Sequence, residues 1–113
     1  MIEATIIDYL KGKTAASNDV YAEIPKTQPA MFIVIEKTGS TTVDRITTST
    51  IAVKSHAPSL LEAAALNEGV KAIMDQLPEL PEVSSCNLNS DYNFTDPTSK
   101  KYRYQAVFQI THY

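Results

Sequence analysis

Met31-Phe-Ile-Val-Ile-Glu-Lys37 is the most strand-like stretch of this 113-residue chain. Met31 to Ile35 are all apolar, so neither face of a pleated strand is left polar there. The expectation is a central strand covered on both sides. Thr38-Gly-Ser-Thr-Thr42 follows and reads as a hairpin turn. Asp44–Lys54 (DRITTSTIAVK) is rich in Thr, Ile and Val, residues that suit a pleated surface. It reads as the antiparallel partner of Met31–Lys37.

Towards the N-terminus, Val20–Ile24 is a short extended segment stopped by Pro25. Proline offers no N–H to a ladder, which points to an edge strand or a strand end. Before it, Ile2, Ile6, Tyr9 and Leu10 recur at spacings of three and four and mark one face of a short helix. Gly12 sits where a left-handed cap would fall, and the residues up to Asp19 read as a loop.

Towards the C-terminus, Pro58 breaks the strand and Ser59-Leu-Leu-Glu62 has the spacing of a capping box. Leu60, Ala63, Leu66, Val70, Ile73 and Leu77 form an apolar stripe, widened by Ala64 and Met74. Asn67, Glu68, Lys71 and Asp75 fall on the solvent side of a helix expected to end at Pro78. Gly69 inside it costs about 1 kcal/mol relative to Ala; close approach of another backbone is one reason to keep it. A second hairpin follows. In Ser84–Phe94 the even positions Cys86, Leu88, Tyr92 and Phe94 share one face, and Ser85, Asn87, Asn89, Asp91 and Asn93 share the other. Thr95–Lys100 is the turn. Tyr102, Tyr104, Ala106, Phe108 and Ile110 then alternate with Arg103, Gln105, Gln109 and Thr111. The order α-β-β-β-α-β-β predicts an α+β fold: a mainly antiparallel sheet of four to five strands with two helices packed on it, in a single domain over 1–113.

Composition narrows the function. Apolar residues make up 43% and charged residues 20%, ordinary for a folded domain. The net charge is −3, with six acids and six cations in residues 1–57 and seven acids and four cations in 58–113. Neither half is a basic arm of the kind nucleic acid attracts. No apolar run approaches the length of a membrane span, and the N-terminus, with Glu3 ahead of its apolar residues, does not read as a secretory signal.

The chemistry-bearing residues are sparse. The three glycines, Gly12, Gly39 and Gly69, form no phosphate loop. His56 and His112 lie far apart and make no metal-binding pair. Cys86, the one cysteine, is in phase with its strand's apolar face and reads as structural. Glu79 and Glu82 stand in an exposed proline-bounded turn, a poor place to separate two carboxylate pKa values. Lys100-Lys-Tyr-Arg-Tyr-Gln-Ala-Val-Phe108 interleaves cations with aromatics as a base-stacking platform does. Tyr102, Tyr104 and Phe108 are in phase with Ala106 and Ile110, however, so the core claims them; Asp91 and Asp96 are expected to neutralise the cations. No enzymatic activity, cofactor or metal is expected. A small-molecule enzyme and a nucleic-acid-binding module are the weaker readings.

Three blocks taken together resemble a known family. They are Val20-Tyr-Ala-Glu-Ile-Pro25 with Pro29 and Phe32-Ile-Val-Ile-Glu-Lys-Thr-Gly39; Thr50-Ile-Ala-Val-Lys-Ser55 leading to Glu62-Ala-Ala; and Leu88-Asn-Ser-Asp-Tyr-Asn-Phe-Thr-Asp-Pro97 with Tyr102-Arg-Tyr-Gln105. Their order and spacing are similar to the tail terminator (tail completion, minor tail) proteins of long-tailed bacteriophages and prophages of Gram-positive bacteria. Gly39-Ser40 departs from the glycine pair that family often carries in this hairpin.

The resemblance implies a structural protein, assembled in the bacterial host cytoplasm and resident in the virion tail. It implies a ring, expected to be a hexamer in the virion and free to be a monomer in solution. The ring caps the tail tube protein and meets the head connector or neck protein, and genome DNA passes through its lumen without specific binding. A phage neck or head-closure protein is the alternative. A head-to-tail contact that closes on rotation makes such a ring, and open sheet edges can supply one. The interface candidates are Val20 and Tyr21 on the short strand, Thr38, Gly39, Ser40 and Arg45 around the first hairpin tip (Thr38–Val43), and Asp96, Lys100, Lys101 and Arg103 around the second (Thr95–Lys101).

Overall fold

The computed structural model describes residues 1–99 and 101–113. Its elements are α1 (Ile2–Leu10), β1 (Val20–Tyr21), β2 (Phe32–Val43), β3 (Ile46–Ala57), α2 (Leu60–Met74), a 3-10 turn at Leu77–Glu79, β4 (Val83–Asn93) and β5 (Tyr102–His112). The α+β class and the order α-β-β-β-α-β-β hold. The strands make one sheet in the order β1-β2-β3-β5-β4. All neighbours are antiparallel except β1, which adds two parallel rungs, Val20 to Ile33 and Tyr21 to Val34.

Both helices lie on one face. Ile2, Ile6, Tyr9 and Leu10 of α1 are buried, as their spacing requires. With Ala63, Leu66, Val70 and Met74 of α2 they cover Ile33, Ile35, Ile51, Val53, Ala106, Phe108 and Ile110. Burying each large apolar side chain in this layer contributes about 1.5–3 kcal/mol. The Ser59 hydroxyl accepts the Glu62 N–H at 3.2 Å, which anchors the start of α2. No helix is long and apolar enough to cross a membrane among the described residues.

Several expectations are corrected. Met31–Lys37 is not central: β3 is, and β2 lies second from the edge. Phe32 to Ile35 are buried on both faces, but only Ile33 and Ile35 join the helix-covered core. On the other face Phe32 stacks on His56, 4.3 Å between centroids and 7° from parallel, and meets Tyr21 edge-on. The first turn is not Thr38–Thr42. That segment continues β2, and the chain reverses at Asp44-Arg45, both at positive φ (52° and 68°). This is the two-residue type I′ reversal, whose twist matches the flanking strands.

The helix ends at Met74, short of Pro78, and Asn67 is buried. Leu60 is exposed instead of joining the apolar stripe. Gly69 has nothing within 4 Å of where a Cβ would stand, so no close-packed backbone explains it. Gly12 does take a left-handed φ of 77°, but its N–H goes to the Ser17 carbonyl at 2.9 Å and closes the following loop. Val20–Ile24 is extended in the sheet only at Val20 and Tyr21.

The largest correction concerns β4. Ladder shifts fall between Val83 and Ser85 and between Leu88 and Ser90. The extra residue, Asn89, turns the strand over. Cys86 and Leu88 stay opposite Ile110 and Phe108 on the helix face, but Asp91 lies opposite Ala106 and Tyr92 opposite Gln105. A bulge reverses every later side chain because the strand period is two. Tyr92 and Phe94 therefore leave the helix face and Asp91 enters it.

Candidate assembly surface

The chemistry available to this molecule lies along the rims of its sheet. On one rim, β1 pairs with β2 only at Ile33 and Val34. Among the described residues, β2 from Glu36 to Val43 has no outer partner, and each of those residues is exposed. A bulge at Thr38 (register shift between Lys37 and Gly39) separates the buried part of the strand from this free part. Thr42 Oγ1 bonds Thr47 Oγ1 at 3.0 Å within the ribbon, and the cross-strand pair Val43 and Ile46 is exposed at its end.

The opposite rim is β4. Its outer side is also unpaired among the described residues, and Asn87 to Ser90 are exposed. Beside it, on the helix face, runs a groove of about 340 Å³ lined by Glu68, Lys71, Ala72, Asp75, Cys86, Leu88 and Phe108. The groove exists because α2 sits over β3 and β5 and stops short of β4. Lys71 Nζ bonds Glu68 at 3.0 Å and Asp91 at 3.1 Å, and Asn67 also donates to Asp91 at 2.9 Å. Burial pushes the Cys86 thiol up to about 12, with Asp75 adding to the shift. At neutral pH it is a thiol, not a nucleophilic thiolate.

One end of the sheet carries the second tip. Asp96 and Lys101 form an isolated bridge there. The Asp96 carboxylate accepts the Thr98 N–H at 2.9 Å, which with further bonds from Ser99 holds it below its ordinary pKa. The Arg103 guanidinium lies 4.7 Å from the Phe94 ring centroid and its Nε donates to the Phe94 carbonyl at 2.7 Å. Tyr92 meets Phe94 edge-on and accepts from Gln105 at 2.8 Å. These four side chains lie on the face away from the helices. His56 is buried on that face, its pKa lowered to about 4 by burial first and then by Arg103, Lys54 and Lys101.

The predicted interface residues are therefore distributed unequally. Thr38, Gly39, Ser40 and Arg45 lie on the free rim and its turn. Lys101 is exposed and Asp96 and Arg103 are half-buried near the second tip. Lys100 lies outside the described residues. Val20 is 2% exposed and belongs to the core, so it offers no surface, because its side chain points beneath α1. Tyr21 is half-buried, its hydroxyl donating to Asp19 at 2.7 Å. Asp91 does not neutralise the tip cations, since the bulge carries it to Lys71. Leu88, Lys37 and Asp75 are surface groups that the sequence reading did not single out; nothing in their spacing marks a groove that forms only when α2 and β4 come together.

Among the described residues, no group of three or more His, Cys, Asp or Glu is placed to hold a metal ion. No protein-family model matches the chain, and the search of curated proteins found no match.

Proposed function

We propose that this chain is a phage tail terminator: a structural subunit that assembles into a ring on the finished tail tube and presents a surface to the head connector. The observation that carries the reading is the pair of long, open rims, β2 from Glu36 to Val43 and β4, on opposite sides of one rigid sheet. Such edges are templates for pairing with another chain, and placing them on opposite sides suits a head-to-tail contact that closes on rotation. The resemblance of the three sequence blocks supplies the tail-specific part. In this role the protein resides in the virion tail after assembly in the host cytoplasm. Its partners are further copies of itself, the tube protein and the connector, while genome DNA passes through the lumen unbound.

The test is deletion of the gene from a prophage that carries it, followed by electron microscopy of induced lysates. Tails of uncontrolled length or unattached heads support the reading, and normal joined virions defeat it.

A further inference from the structure

We infer that the β4 rim of one copy receives the β2 rim of a second copy in antiparallel pairing, with Lys37 of the incoming strand set over the acidic groove between α2 and β4. The inference deepens the ring reading and rests on it for closure.

The ladder gives the argument. Rows across the sheet run Thr41–Thr48–Thr111–Ser85, Ser40–Ser49–Ile110–Cys86, Gly39–Thr50–Gln109–Asn87 and Lys37–Ile51–Phe108–Leu88. The regular, unpaired stretch of β4, Ser85 to Leu88, thus stands at the same height as the unpaired stretch Lys37 to Thr41 of β2. Both stretches are bounded by the bulges at Asn89 and Thr38. β4 and β2 run in opposite directions, so a second copy in the same orientation presents an antiparallel edge. Faces then match as well. Ser40 and Cys86 share the helix side, and Thr41 and Ser85 share the other.

Charge decides the fit. Lys37 shares its row and side with Leu88, whose side chain borders the groove. Lys37 is exposed and enters none of the ion pairs among the described residues. The groove and its end hold Glu68, Asp75 and Asp91 against the single cation Lys71, which already serves Glu68 and Asp91. Asp75 has no ion-pair partner among the described residues. An incoming Lys37 supplies one.

The experiment is oxidative crosslinking of Thr41→Cys with Ser85→Cys in a Cys86→Ser background, at millimolar protein. Within one chain these positions are three strand spacings apart, about 14 Å, too far for a disulfide. The expected result is a ladder of dimers, trimers and higher species from the double variant, with each single-cysteine variant remaining monomeric. Dimers from Thr41→Cys alone or Ser85→Cys alone would show like rims pairing and overturn the inference, as would the absence of any ladder. Lys37→Glu is expected to lower the ladder yield several-fold, and Asp75→Lys added to it to restore the yield; an unchanged yield from Lys37→Glu removes the groove contact. Closure is read separately by imaging. Open filaments from the crosslinked protein would defeat the ring and leave the contact standing, whereas capped tubes that never crosslink would defeat the contact and leave the ring.

Discussion

Asn67, in the buried stripe of α2, donates to the carboxylate of Asp91 on β4 across 2.9 Å, and this bond ties the helix to the outermost strand. Lys71 reaches the same oxygen at 3.1 Å. α2 otherwise touches β4 little, so the polar link fixes the angle at which the outer strand hangs from the core. Asp91→Ala leaves a buried amide without its acceptor, which costs about 1–3 kcal/mol. Urea denaturation should show a lowered midpoint with an unchanged slope. A loss below a few tenths of a kcal/mol would mean that the bond does not hold in solution.

His56 gives stability a pH dependence of known sign. Unfolded, its imidazole takes up a proton near 6.5; folded, burial against Phe32 and the neighbouring Arg103, Lys54 and Lys101 delay this to about 4. Between those values the unfolded chain holds more protons. The contribution is therefore complete above pH 6.5 and is lost as the pH falls towards 4, on the order of 2 kcal/mol in all. His56→Phe keeps a flat ring beside Phe32 and should flatten the curve of unfolding free energy between pH 6.5 and 4. An unaltered curve would assign the slope to other groups.

Cys86 should resist alkylation. Its thiol is raised to about 12 by burial and by Asp75. Iodoacetamide at pH 8 is expected to label the native protein at least about tenfold more slowly than the urea-unfolded chain, because the thiolate is the reacting form. Mass spectrometry over time reads the two rates, and equal rates would place the thiol in solvent.

The turn at Asp44-Arg45 stores strain that a substitution can release. Both residues occupy the left-handed region, which costs an ordinary L-residue roughly 1–2 kcal/mol. Asp44→Asn with Arg45→Gly gives the favoured Asn-Gly pair of a type I′ turn, with an expected gain of about 1 kcal/mol in the same urea assay. Destabilisation would mean that the Arg45 side chain makes a compensating contact.

The sequence determined the layers. The four apolar positions of the first helix, the alternation of Tyr102 to Ile110 and the two-sided burial of Phe32 to Ile35 were legible because each is a local periodicity that one element must satisfy. Ser59 was legible as an N-cap for the same reason: its hydroxyl serves an N–H three residues away. Periodicity could not show the bulges at Thr38 and Asn89, since one inserted residue leaves composition unchanged yet reverses the faces beyond it. That is why Tyr92, Phe94 and Asp91 changed sides, and why Asn67 is buried opposite an acid instead of facing water. The glycine at position 39 looked like a turn because turn chemistry is read from residue type, whereas the reversal was placed by the ladder between β2 and β3. Only the tertiary structure decided that the two hairpins join through β3 and β5 into one sheet. With that pairing made, the free lengths of β2 and β4 face outward at equal height. Strand order is set by contacts between residues distant in the chain, and no local pattern encodes which edge stays open.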